Sequence, residues 1–208
     1  MVVPESALIP LPVKMDFTAG AAIPIAGKTA LECMRALELK KGDTLFIAGA
    51  SGAIGTFVIQ LAAGQGIVVV GSASQKNHHY MLSLGAKKAV DYASPDWIQH
   101  LKQWLPEGVT AALAIQPGTV AGSIAVVKDG GKVITVSGDD QAEEERGVSV
   151  RQLQHHQETQ SALLQLLADI DAGKVKIVIE HVYPFAQALD ALKKTETRHA
   201  RGKLVVKV

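Results

Sequence analysis

A single cysteine, Cys33, stands in the 208 residues. It excludes an internal disulfide and any cysteine-rich zinc centre, and fits a reducing compartment, read as the cytoplasm. Its neighbours Leu31, Met34 and Leu37 predict a buried helical thiol. An excess of one charge sign is also missing: 21 Lys and Arg stand against 20 Asp and Glu. A net charge of +1 gives no electrostatic footprint for nucleic acid or an acidic membrane surface. The opening Met-Val-Val-Pro-Glu-Ser lacks the basic start and unbroken apolar core of a signal peptide. Residues 44 to 75 carry no charge at all. Their glycines and alternating strand and helix patterns argue for a buried α/β core rather than a membrane span. The chain has no internal repeat and no low-complexity tract.

What is present centres on residues 44 to 62. The uncharged run Thr44 to Ala48 reads as a parallel strand covered on both faces. Ala50-x-Gly52-x-x-Gly55 follows in the place of the dinucleotide fingerprint, with alanine at the first glycine position. Gly52 lets the backbone approach a pyrophosphate, and Gly55 lets the helix pack on the strand. From Ala53 onward, Ile54, Val58, Leu61 and Ala62 recur at helical spacing. The free N–H groups at the start of that helix favour negative charge. A second apolar strand, residues 66 to 70, completes a βαβ unit. A tight strand–helix turn that binds nothing has the same pattern.

Residues 1 to 20 read as a proline-spaced junction, with Asp16 as N-cap of a helical region reaching Leu39 and interrupted by Pro24. Further strands are expected at 88–92, 110–115, 132–137 and 175–180, and a last one at 203–208. Helices are expected at 76–84 (closed by Gly85), after Ser94-Pro95-Asp96, at 118–127, around Leu163 to Ile170, and at 185–192. The acidic stretch 138–147 reads as a solvated loop. The alternation predicts an α/β fold: a Rossmann, doubly wound, parallel six-stranded sheet over 21–180 with helices on both faces.

The tip of the second strand discriminates between nicotinamide cofactors. An acid there binds a free ribose 2′-hydroxyl, whereas a 2′-phosphate needs cationic and hydroxyl donors. The loop from Gly71 to Asn77 has no carboxylate; Ser72 and Ser74 offer hydroxyls and Lys76 a mobile charge. This favours NADP(H), although a helix cap at Ser74 beside a solvated lysine accounts for the same residues. The pairs His78–His79 and His155–His156 point about 100° apart on a helix, and no cysteine or carboxylate completes a ligand set, so no metal site is expected. Gly49-Ala-Ser51-Gly-Ala53 misses the nucleophile elbow at its last position. No catalytic side chain is assigned.

These residues resemble a known family. The chain is similar to the cofactor-binding and C-terminal part of the medium-chain dehydrogenase/reductases, in the zinc-independent NADPH:quinone oxidoreductase branch. The resemblance rests on Ala21 to Ala30, Ala50 to Gly55, Leu84 to Tyr92, Gly130 to Val133 and Arg201 to Val206. It implies that Thr29 lies near the nicotinamide, and that Ser51, Gly52 and the turn Ala53, Ile54, Gly55 hold the pyrophosphate. It also implies that Lys76 and Tyr92 flank the 2′-phosphate and adenosine, and that Ser137, Gly138 and Lys203 line the cleft. Two positions depart from the pattern: Ala114 replaces an aspartate, and Pro117-Gly118 replaces a glycine pair. The family's N-terminal GroES-like domain has no counterpart here, so the terminal segments, including the helix and strand of 181–208, are expected to be what remains of the catalytic-domain side. The resemblance further implies hydride transfer to a quinone or activated enone, and a homodimer. Activity of the isolated chain is expected to be low, one wall of the substrate cleft being absent.

Two other readings stay open. One is a non-catalytic NADPH-binding module that senses redox state or holds a partner. The other is a methyltransferase using S-adenosylmethionine, which the missing acid at the second strand tip disfavours.

Overall fold

The computed structural model describes residues 2–5, 8–138, 146–155 and 160–208. Its helices are α1 Phe17–Ala21, α2 Pro24–Leu37, α3 Ala53–Gly64, α4 His78–Ser83, α5 Trp97–Trp104, α6 Val120–Val126, α7 Gln160–Asp171 and α8 Ala188–Glu196. The strands are β1 Thr44–Ala48, β2 Val68–Ser72, β3 Lys88–Val90, β4 Val109–Ala114, β5 Val127–Thr135, β6 Ser149–Gln152, β7 Ile179–Pro184 and β8 Lys203–Lys207. Six of them form a parallel sheet in the order β3-β2-β1-β4-β5-β6. That is the doubly wound dinucleotide-binding order, with its topological switch between β1 and β4.

Both central strands are enclosed. Leu45, Phe46 and Ile47 of β1 and Ala111 to Ala114 of β4 are all buried. One face packs against α2, α3, α4 and α7 through Cys33, Leu37, Val58, Met81 and Leu166. The other packs against α5 and α6 through Leu101, Val120 and Ile124, with Phe46 stacked on Trp97 at 5.3 Å between ring centroids. Gly27 permits the α2–α7 contact, since a Cβ there would lie 2.9 Å from Leu166. At their N-terminal ends β1 and β4 are stapled reciprocally: Thr110 N–H donates to Thr44 Oγ1 at 2.8 Å and Thr44 N–H to Thr110 Oγ1 at 3.2 Å. Their C-terminal ends run into loops that leave the crevice open.

Cys33 is fully buried in α2, as its neighbours predict. Burial, assisted by the adjacent Glu32, pushes its thiol up to about 12, so it stays protonated and unreactive at neutral pH. Asp16 accepts from Ala19 N–H and starts α1, and Pro24 opens α2 at its first turn.

The sixth strand is a correction. The expected strand 175–180 is not part of the large sheet; the sixth strand is Ser149–Gln152, at its edge. Residues 176–178 belong to no strand, and the chain becomes one only at Ile179. There β7 and β8 form a separate parallel two-stranded sheet. Gln60 of α3 holds the approach to it, its side chain exchanging hydrogen bonds with Lys176 N–H (2.7 Å) and Lys176 C=O (3.0 Å). Other boundaries shift: β5 starts five residues early, at Val127, and runs through the glycine pair expected as a turn, β2 runs on to Ser72, and α5 begins at Trp97, where Ser94 Oγ donates to the Asp96 carboxylate instead of capping the helix. Most of the acidic stretch 138–147 lies outside the described residues, as does His156. No described helix is long and apolar enough to cross a membrane.

Candidate functional site

A cleft of about 370 Å³ opens at the carboxyl ends of β1, β2 and β4. Its floor is the turn after β1, where Gly49 and Ala50 N–H groups both donate to Ser72 C=O, at 3.3 and 3.1 Å. Gly52 then begins α3 with no side-chain cap, so the first amides of that twelve-residue helix are left for an anion. A Cβ on Gly52 would meet only Gly49 O, at 3.5 Å, so the chain itself leaves this cradle unfilled. Gly55 serves packing: a Cβ there would lie 2.6–2.7 Å from the backbone of Ala50.

One wall comes from the second strand tip, Ser72, Ala73, Ser74 and Asn77, with Tyr92 beyond it. Among the described residues no carboxylate lines the cleft, in keeping with the sequence argument against an acid on the ribose. Asn77, nearly buried, donates through Nδ2 to Ser51 Oγ (3.2 Å) and Ser74 Oγ (3.4 Å). His78 Nε2 lies 3.1 Å from Ala73 O and braces the same loop. The opposite wall is Gln116, Pro117 and Thr119, after β4.

The last part of the lining is the segment Thr197–Ala200, brought in from the C-terminal unit. It is fixed on its far side. Gly202 N–H donates to Ser51 O at 2.8 Å, and Gly202 pairs with Gly52 as an isolated parallel bridge. Arg201 lies over the Tyr80 ring at 5.0 Å, and its backbone N–H donates to Glu180 Oε2 at 2.6 Å. Tyr80 is held there with a buried hydroxyl that has no partner among the described residues. Burial raises that phenol to about 12, against the lowering pull of Arg201. Arg198 itself adopts φ +56, which places an arginine and His199 at the cleft.

Of the residues singled out in the sequence, Ser51, Gly52, Ser72, Ser74 and Tyr92 line this cleft. Ala53, Ile54 and Gly55 form the first turn of α3 directly behind Gly52. Lys76 is exposed on the 3₁₀ turn between Ser74 and Asn77. Thr29 is buried in α2, Ser137 and Gly138 follow β5, and Lys203 starts β8; none of these four belongs to the lining. Sequence reasoning missed Asn77, Gln116, Thr119 and the segment 197–200. Only Pro117 had drawn notice, as a departure from a family pattern. Elsewhere, exposed His155 reaches the buried Glu32 carboxylate at 2.7 Å. Among the described residues no three His, Cys, Asp or Glu side chains converge as metal ligands.

With this geometry in place, comparison with known proteins gives the class. Residues 84–206 match the zinc-binding dehydrogenase family, and the chain belongs to that family, within the medium-chain dehydrogenase/reductases. Over 181 residues it is 32% identical to a probable mitochondrial zinc-binding oxidoreductase of Arthroderma benhamiae, covering 82% of this chain and 54% of that protein. It is 31% identical to a chloroplastic NADPH-dependent alkenal/one oxidoreductase of Arabidopsis thaliana, covering 98% and 50%. The solved quinone oxidoreductase of Coxiella burnetii superposes with a TM-score of 0.84 at 29% identity, covering 96% of this chain and 63% of that one. The chain therefore spans about half the length of the curated relatives it matches.

Proposed function

We propose that this chain is the NADP(H)-binding part of an oxidoreductase that transfers hydride to a quinone or an activated enone. The carrying observation is that the uncapped start of α3, the carboxylate-free Ser72–Asn77 loop and Arg198 meet around one cleft at the switch point. Bound there, NADPH supplies the hydride, and the protein holds and orients it and keeps water out. Ser51, Gly52 and the turn Ala53–Gly55 receive the pyrophosphate. Ser72, Ser74, Lys76 and Tyr92 receive the adenosine and its 2′-phosphate, with Arg198 as a second cation. Thr29 is assigned to the nicotinamide, and Ser137, Gly138 and Lys203 to the cofactor cleft beyond this lining. The acceptor class is supported by the relatives named for alkenals and quinones.

We place the protein in the cytoplasm, which its single buried thiol supports. A homodimer is supported by β6, which among the described residues pairs with β5 alone and so offers its other edge to continue the sheet.

Calorimetric titration with NADPH and NADH tests the cofactor reading. A preference for NADPH of about tenfold or more, ~1.4 kcal/mol, lost in Lys76→Ala, is the expected result. Failure to bind either nucleotide overturns it. Oxidation of NADPH with quinone and enone acceptors then separates an enzyme from a silent binding module.

A further inference from the structure

We infer that Asn77 is the positioning residue that turns Ser51 and Ser74 into a matched pair of hydroxyl donors aimed at the anionic groups of the cofactor. The inference rests on the reading of the cleft as an NADP(H) site and adds to it a residue that the fingerprint does not contain.

The argument starts from proton bookkeeping. An amide nitrogen carries two hydrogens, and a serine oxygen has one hydrogen and two lone pairs. Asn77 Nδ2 lies 3.2 Å from Ser51 Oγ and 3.4 Å from Ser74 Oγ, so each of its hydrogens serves one hydroxyl oxygen. Each serine thereby accepts from Asn77, and its own proton must turn elsewhere. Among the described residues neither hydroxyl proton has an acceptor. Both serines line the cleft, where a phosphate oxygen is the acceptor that a free O–H donor suits best.

Asn77 is also fixed well enough to do this. It is only 8% exposed, and its backbone N–H donates to Ser74 O at 2.9 Å. The two serines it joins sit at different ends of the anion. Ser51 immediately precedes the N-cap of α3, and Ser74 precedes the turn that carries Lys76. One amide therefore couples the pyrophosphate cradle to the loop that reads the 2′-phosphate. An aspartate in its place has nearly the same shape but only accepts, so both hydroxyl protons would turn inward and its charge would repel phosphate.

The test is a set of calorimetric titrations with NADPH and NADH on the wild type, Asn77→Asp, Asn77→Ala, Ser74→Ala and the Ser74→Ala/Asn77→Ala double variant. Asn77→Asp is expected to weaken NADPH by about tenfold or more and NADH by less, so that selectivity falls. Asn77→Ala is expected to cost about threefold for NADPH in the wild-type background and clearly less once Ser74 is alanine, because the amide then acts through Ser51 alone. A merely structural role would weaken both nucleotides alike and leave selectivity unmoved. Unchanged selectivity in Asn77→Asp, or fully additive losses in the cycle, overturns the inference while the site reading survives. A wild type that binds neither nucleotide overturns both. The cycle built on Asn77→Ala decides the matter should Asn77→Asp not fold.

Discussion

The six-stranded sheet and the β7–β8 pair use the same apolar residue types and the same parallel pairing, yet they end in opposite environments. In the large sheet Leu45, Ile47, Val69 and Leu113 are fully buried between two helical layers. In the small one, Val182 and Val206 keep more than a third of their surface, and the neighbouring helix α8 leaves Leu189 72% exposed. Parallel strands usually need cover on both faces, and only the large sheet has it. The small sheet is tied instead to the fingerprint turn by Gly202 and to α3 by Gln60. The lesson is that one region is stable by enclosure and the other by tethering, and that the cleft lies where the two meet.

Substitutions can break this contrast in graded steps. Leu113→Ala, in the middle of β4, is expected to cost about 3 kcal/mol in urea unfolding, the usual range for a leucine truncated inside a packed core. A loss under about 1 kcal/mol would show that the large sheet is not held by enclosure. Gly202→Ala comes next, at about 2 kcal/mol, since a Cβ there would lie 2.4 Å from Val178 Cγ1 on a residue at φ +71. Amide exchange should then quicken at Leu204 to Val206 and stay slow at Leu45 to Ile47. Equal quickening in both sheets would mean that the tether and the core are one cooperative unit.

Gln60→Ala removes the pair of hydrogen bonds to Lys176 and is expected to cost about 1 kcal/mol. The smallest effect belongs to Leu189→Ala, within about 0.5 kcal/mol despite its chemical identity with Leu113→Ala. A loss comparable to that of Leu113 would mean that Leu189 is covered in solution, by a second copy or by a further part of the polypeptide. That outcome would redraw the comparison.

Much of this was legible in the sequence, for physical reasons. Uncharged runs mark β1, β2 and β4 because a strand covered on both faces tolerates no charge. Gly55 was readable because packing α3 on the Ala50 backbone leaves no room for a Cβ. The edge strand β6 was not: Arg151 and Gln152 are exposed, and a strand paired on one side can be polar enough to look like loop. The segment 175–180 misled in the opposite direction. Val175, Ile177 and Val178 contact the core, so burial made them apolar without their pairing in the sheet. Asn77 and Arg198 were hidden for a third reason. Their places in the cleft depend on contacts that no local pattern encodes: Asn77 reaches back 26 positions to Ser51, and Arg198 is delivered by the link between Gly202 and the fingerprint turn.

That link has a consequence for biosynthesis. The six strands of the large sheet are all available once Gln152 has been made, and domains generally fold as units while synthesis proceeds. The bridge between Gly52 and Gly202, however, waits for residues that leave the ribosome much later. A chain that folds its sheet before residue 202 is made therefore carries an incomplete cleft until Gly202 reaches Gly52 and brings the segment Thr197–Ala200 to the lining.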